Sequence, residues 1–192
     1  MKRTIALFGA LLGMSAVPAH AEILDLNVGH NSVALSLAGP MSHVIHDLRG
    51  QYDLGVVVRP KASDDLLQAH LGALITGDAG AKGVDVAAGL GLRGIYVGRD
   101  GDSGGALAIG GQFEARLPSF NRVGLSGYGY YAPGATSFGE LSKYMEYGGS
   151  VDYQVVRDAA VYVGYRNIRY NIGNVGNVTA DCGVRVGLRL TF

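Results

Sequence analysis

The chain has 192 residues, with Lys+Arg and Asp+Glu equal at 16 each, one cysteine, 31 glycines, 11 tyrosines and no tryptophan. This balance argues against a nucleic-acid binder, which shows a clustered basic excess, and a lone cysteine excludes an internal disulfide. So much glycine is unfavourable in long helices and natural in a tightly curved sheet, where it relieves crowding on the inner wall.

The N-terminus carries Lys2 and Arg3, an apolar stretch from Ile5 to Val17, and the small-x-small site Ala19-His20-Ala21. Residues 1–21 therefore read as a cleaved secretory signal peptide, with the mature chain starting near Glu22. No cysteine stands there, which argues against a lipid anchor. Loss of Lys2 and Arg3 leaves a small acidic excess, and residues 22–192 are of single-domain size. After the signal, no run of roughly 18 apolar residues makes a transmembrane helix.

From Glu22 onward, apolar residues alternate with polar or small ones, and turn chemistry interrupts them at strand-like intervals. Strands are predicted near Ile23 to His30, Ser32 to Ala38, Gln51 to Arg59, Leu66 to Thr76 and Val84 to Val97. Five more fall near Gly105 to Leu117, Arg122 to Ala132, Met145 to Val156, Ala159 to Tyr170 and Thr179 to Phe192. The segment Pro40 to Gly50 stays unassigned, because Val44, Ile45 and Leu48 fit helical spacing as well as a strand. The fold class is all-β, a closed antiparallel transmembrane β-barrel of 8–10 strands; the first two segments are short enough to form a separate hairpin. Closure pairs every backbone donor and acceptor, which a membrane-spanning sheet requires.

Barrels of this kind keep both termini and the short turns in the periplasm and the longer loops outside. Counting back from Phe192, the external connections are Asn171 to Val178, Pro133 to Tyr144, Gly98 to Gly104 and Pro60 to Asp65. Periplasmic turns are Arg157-Asp158, Pro118 to Asn121 and Gly77 to Gly83. Tyr96, Tyr131, Tyr144, Tyr147 and Tyr170 then form an aromatic girdle at the external rim, with Phe120 and Phe192 at the periplasmic one.

Period-two alternation also separates the faces. Outward lie Leu90, Leu92, Leu107, Ile109, Phe113, Val123, Leu125, Val151, Tyr153, Val155, Val161 and Val163. Inward lie Asp85, Arg93, Gln112, Glu114, Arg116, Arg122, Glu146, Asp152, Arg166, Arg185 and Arg189. Charges of both signs on one interior predict a lumen filled by arginine–carboxylate pairs.

Four motifs suggest chemistry and are better explained without it. Gly89-Leu90-Gly91-Leu92-Arg93-Gly94 has dinucleotide-motif spacing but runs on into Ile95-Tyr96-Val97, a strand and not a helix, so no cofactor is expected. His30 and Ser32 resemble the His and Ser of outer-membrane lipid hydrolases, but they flank a tight turn and lack an orienting third residue. His43, His46 and the isolated His70 do not supply the convergent ligands a metal needs. Asp100-Gly101-Asp102-Ser103 resembles part of a calcium loop without its later acidic ligands. Cys182 falls on the outward face as a small apolar residue.

In the last strand Val184, Val186, Leu188, Leu190 and Phe192 form one apolar face, ending on a terminal aromatic as outer-membrane barrels typically do. With the signal peptide, the opening Glu22-Ile23-Leu24-Asp25-Leu26-Asn27 and the closing Val186-Gly187-Leu188-Arg189-Leu190-Thr191-Phe192, the chain resembles the YfaZ-type outer-membrane proteins. That resemblance implies a small outer-membrane barrel with no assigned reaction and no catalytic residues. The expected function is non-enzymatic, with a charge-filled, closed or narrowly conducting lumen and a minor porin, structural or surface role. Expected partners are outer-membrane lipid and the barrel-assembly machinery, the latter through the last strand, with the protein a monomer. Two alternatives stand beside it: a lipid acyl hydrolase using His30 and Ser32, and a soluble periplasmic barrel with an apolar ligand inside.

Overall fold

A computed structural model describes residues 22–43, 50–60, 66–80, 84–99, 102–172 and 176–192. The strands are β1 (Ile23–Gly29), β2 (Val33–Pro40), β3 (Gln51–Arg59), β4 (Leu66–Asp78), β5 (Asp85–Arg99), β6 (Asp102–Arg116), β7 (Val123–Ala132), β8 (Ser137–Gly139), β9 (Leu141–Val156), β10 (Ala159–Ile172) and β11 (Gly176–Thr191). Each pairs antiparallel with its neighbours in the wall, and β5–β6 and β1–β11 pairing completes a closed ten-strand barrel. The first hairpin, left open by the sequence, is part of the wall.

The seam is made by the two ends of the chain. Seven residues of β1 face seven of β11, from Ile23 opposite Thr191 to Gly29 opposite Arg185. Beyond them, Glu22 N donates to Phe192 O at 2.9 Å and Phe192 N donates to Glu22 O at 3.0 Å. The C-terminal aromatic thus belongs to the closing ladder. We call this the terminal end of the barrel and the opposite one the far end.

β8 continues the line of β7. β7 runs along Arg116–Ile109 of β6, and β8 resumes farther up the same edge, opposite Gly104–Ala106. The break is at Pro133, which has no N–H for the ladder. A 3-10 turn, Gly134–Thr136, comes next, and the Pro133 carbonyl accepts from the hydroxyls of Thr136 (3.2 Å) and Ser137 (3.0 Å). This corrects the long loop expected from Pro133 to Tyr144, since β9 already begins at Leu141. The connections expected at Gly98 to Gly104 and Asn171 to Val178 are also shorter, because β5, β6, β10 and β11 extend past the predicted strand ends and keep pairing there, whereas β3 and β4 leave the expected Pro60 to Asp65 between them. At 14 to 16 residues these strands exceed the roughly 9–11 that cross a bilayer.

Within 40–50, a 3-10 turn spans Met41–His43 and Met41 N donates to Gly50 O at 2.8 Å; Val44, Ile45, His46 and Leu48 lie outside the described residues.

Glycine is spent where large lumen side chains cross the opposite strand. Gly72 pairs with Asp53, and a Cβ at Gly72 would overlap the Asp53 carboxylate; Gly187 pairs with Tyr162, whose ring occupies the space a Cβ would need. Gly72→Ala is accordingly expected to lower stability by about 1–3 kcal/mol through overpacking. Urea unfolding of the refolded protein measures this, and an unchanged midpoint would show that Asp53 can swing aside freely.

Candidate functional site in the barrel lumen

The two wall faces differ in chemistry as their alternation predicts. Leu90, Leu92, Leu107, Ile109, Phe113, Val123, Leu125, Val151, Tyr153, Val155, Val161 and Val163 are all exposed on the outer wall, as are Val184, Val186, Leu188, Leu190 and Phe192. Arg93, Glu146, Asp152, Arg166 and Arg185 are buried inside. Three register shifts interrupt the alternation among the described residues, one between β10 and β11 and two between β9 and β10. At one, Ala180 and Asp181 both turn inward, so Cys182 and Val184 stay outside while the far end of β11 takes the opposite parity.

The interior has three levels. At the far end Leu66, Ile95, Val97, Leu141 and Ile168 interdigitate with Ala106, Ala108 and Ala132 in one buried apolar cluster. Large and small residues alternate there, which fills a tapering barrel. Tyr144 and Tyr170 stack at its lower edge, centroids 5.7 Å apart at 25°, with almost no exposed surface. This corrects their expected place in the girdle. Both share the parity of the lumen residues Glu146 and Arg166, so period two sends their rings inward. Tyr96, Tyr131 and Tyr147 sit on the opposite parity and are exposed.

Below the tyrosines lies a polar belt centred on Glu146. Its carboxylate accepts from Tyr144 Oη, from Tyr128 Oη at 3.2 Å and from Gln68 Nε2 at 3.4 Å, and Arg93 Nη1 lies 3.6 Å away. Arg93 also pairs with Asp53 and places its guanidinium 3.7 Å from the centre of the Tyr130 ring. His70 Nε2 is 3.4 Å from the same Asp53, and Tyr170 Oη donates to Gln68 Oε1. Beside this belt, Arg166 Nε donates to Asp181 at 2.7 Å, and the Ser32 hydroxyl bridges the pair, donating to Asp181 at 2.8 Å and accepting from Arg166 at 3.0 Å. A buried charge is tolerable only when its counter-charge and its remaining hydrogen bonds are supplied together.

The charged side chains of the terminal half are more exposed. Arg116 bonds Asp152 at 2.8 Å and Glu114 at 3.3 Å. Arg189 lies 3.6 Å from Asp25 and 3.8 Å from Asp152, and Tyr162 Oη donates to Asp25 at 2.7 Å. A cavity of about 370 Å³ remains, lined by Ser36, Gln112, Ser126, Ser150, Arg185 and Arg189 among others. Thr76 and Ala87, exposed at the terminal rim, also line it, so the space reaches that end.

Arg122 and Asp85 are exposed at the terminal end and make no ion pair among the described residues, so both leave the expected charge network. Each stands where its strand begins, beyond the enclosed lumen. Asp25, Asp53, Gln68 and Asp181 enter the network unexpectedly. Alternation alone would have flagged Asp25 between Leu24 and Leu26, and Asp181 was hidden by the bulge at Ala180. His30 is exposed whereas Ser32 is buried and held by Arg166 and Asp181, so the structure does not bring the two together as a catalytic pair. His43 lies 3.8 Å from Glu22, and Asp100 and Gly101 lie outside the described residues. The Cys182 sulfur contacts Tyr165 Oη at 3.3 Å and Asn167 Nδ2 at 3.2 Å on the outer wall.

The ten-strand barrel lies within the closed antiparallel barrel of 8–10 strands expected from the sequence. The model of the YfaZ precursor family matches residues 2–192. The chain belongs to that family. The family's description as a precursor implies a cleaved signal peptide and export; residues 1–21 lie outside the described residues. No curated protein matches the chain.

Proposed function

We propose that this YfaZ-family protein is a monomeric integral barrel of the bacterial outer membrane, without enzymatic activity, whose lumen is closed at its far end. Its role is then structural or surface-directed. One observation carries this reading: the outer wall is apolar around the barrel while arginines and carboxylates fill the inside. That is the polarity lipid demands and the reverse of a soluble barrel holding an apolar ligand. The termini then lie in the periplasm, the apolar cluster faces the exterior, and β11 presents its apolar face to lipid and to the assembly machinery.

The protein is expected in the outer-membrane fraction, resistant to alkaline carbonate and released by detergent. Release by carbonate alone would remove the membrane reading. A sharper test uses Leu92, exposed at mid-height of β5. Leu92→Arg should cost about 2–4 kcal/mol when the protein is folded in lipid vesicles, the penalty for a cation near the bilayer midplane. An exposed site in water would register within about 0.5 kcal/mol. A cost of that smaller size in vesicles would mean that the wall does not face lipid.

Ser32 supports the non-enzymatic reading, because its hydroxyl is committed to a buried ion pair. Release of fatty acid from outer-membrane lipid by the purified protein, abolished by Ser32→Ala, would reverse it.

A further inference from the structure

Arg185 stands apart from the other lumen guanidinium groups. Arg93, Arg116, Arg166 and Arg189 each lie within 4 Å of a carboxylate. Arg185 is about nine-tenths buried, yet it has no carboxylate at that range and no hydrogen bond among the described residues, and its Nε is enclosed without a partner. Two ring faces lie within cation–π range of its guanidinium, Tyr128 at 5.7 Å and Tyr162 at 5.8 Å. Cation–π contact offsets part of the desolvation of a guanidinium, but it leaves the N–H donors unused.

The lumen carboxylates are engaged elsewhere. Asp181 holds Arg166, Glu146 and Asp53 hold Arg93, Asp25 takes Arg189 and the Tyr162 hydroxyl, and Asp152 is shared by Arg116 and Arg189. The cavity that Arg185 lines has room for several waters or a small solute, and hydroxyls of Ser126 and Ser150 line it too. It reaches the terminal rim, and Arg93, Glu146 and Arg166 of the polar belt line its inner part, each already paired with an opposite charge.

We propose that this pocket binds a small oxyanion, a phosphate or a carboxylate, through the Arg185 guanidinium. The fork of N–H donors matches two oxygens of such a group, and the two tyrosine rings hold the fork in place while excluding other contacts. The pocket is a property of the barrel interior, so its test is independent of the membrane reading.

The test titrates refolded, detergent-solubilised protein with inorganic phosphate and, separately, with acetate, at constant ionic strength held with chloride. Saturable binding is expected with a Kd of about 10 mM or tighter, within reach of two charge-assisted hydrogen bonds. Arg185→Gln should weaken it at least about tenfold, the loss expected for one charged partner, whereas Arg122→Gln, at an exposed arginine outside the lumen charge network, should leave it nearly unchanged. Far-UV circular dichroism confirms that each variant has refolded. If Arg185→Gln does not refold, Arg185→Lys replaces it; it keeps the charge without the planar fork and should bind more weakly than the parent. Two results overturn the proposal: no saturable binding of either anion by the parent, or binding that survives in the Arg185 variant. Binding of one anion alone supports it and identifies the class.

Discussion

Arg93→Ala is expected to destabilise the folded barrel by about 3–5 kcal/mol, the cost of leaving buried charges without their partner. Removing this one guanidinium strands Asp53 and Glu146 together in the middle of the lumen and uncovers the Tyr130 ring. Attraction between the original charges is a smaller part of the effect than the desolvation left uncompensated when one is removed. The triple replacement Arg93→Met, Asp53→Asn, Glu146→Gln should therefore recover much of the loss, because all three charges are removed together and none of them is left buried without its partner. Urea unfolding in detergent, monitored by far-UV circular dichroism since the chain has no tryptophan, gives both numbers. A loss below about 1 kcal/mol for Arg93→Ala would place the belt in the regime of solvated surface pairs. The interior would then be wetter than its burial indicates.

The second large effect concerns closure. Tyr144 and Tyr170 stack between the polar belt and the apolar cluster, and their hydroxyls tie to Glu146 and Gln68. Removing both rings leaves a cavity against polar groups, which water will occupy, whereas a purely apolar void would stay dry. The parent is expected to be silent in a planar bilayer. Tyr144→Ala with Tyr170→Ala is expected to show discrete conducting steps, at a stability cost of about 3–5 kcal/mol per ring. Tyr147→Ala, which changes only the exposed outer wall, should remain silent. Large stable conductance from the parent protein would contradict a closed lumen. A folded double variant that stays silent would assign the seal to Leu66, Ile95 and Leu141 alone.

Both experiments probe residues whose importance differs in how visible it is from sequence. Arg93 is legible: it sits between Leu92 and Gly94 in a strictly alternating run, and a charge there has to face the lumen. Glu146 is legible for the same reason. Tyr144 and Tyr170 mislead, because aromatic residues near strand ends suggest an interfacial girdle, and only their parity relative to Glu146 and Arg166 gives their direction. Asp181 was out of reach, since the bulge beside it reverses parity within β11. A bulge arises from pairing with the neighbouring strand, and no residue type in that stretch announces it.

The external loops show the same division. Pro133 suggests the start of a long loop because proline cannot continue a ladder. The interruption nevertheless ends at Thr136, and β8 resumes along β6 at once, because backbone groups at the far end still find partners on the neighbouring strand. Strand ends are set by where a neighbour stops offering hydrogen bonds, and that information is not local.

By itself the sequence determined the all-β class, the ten strand segments and the sorting of apolar and charged residues onto two faces. Each of these results from period-two geometry acting on neighbouring residues in one chain. The tertiary structure alone decided which carboxylate meets which guanidinium, that the first hairpin joins the wall, that the far end is filled by apolar side chains and that Arg185 is left facing open space. Those outcomes depend on the register of strands far apart in sequence and on the diameter that ten strands enclose. Neither is set until β1 pairs with β11 and the barrel closes.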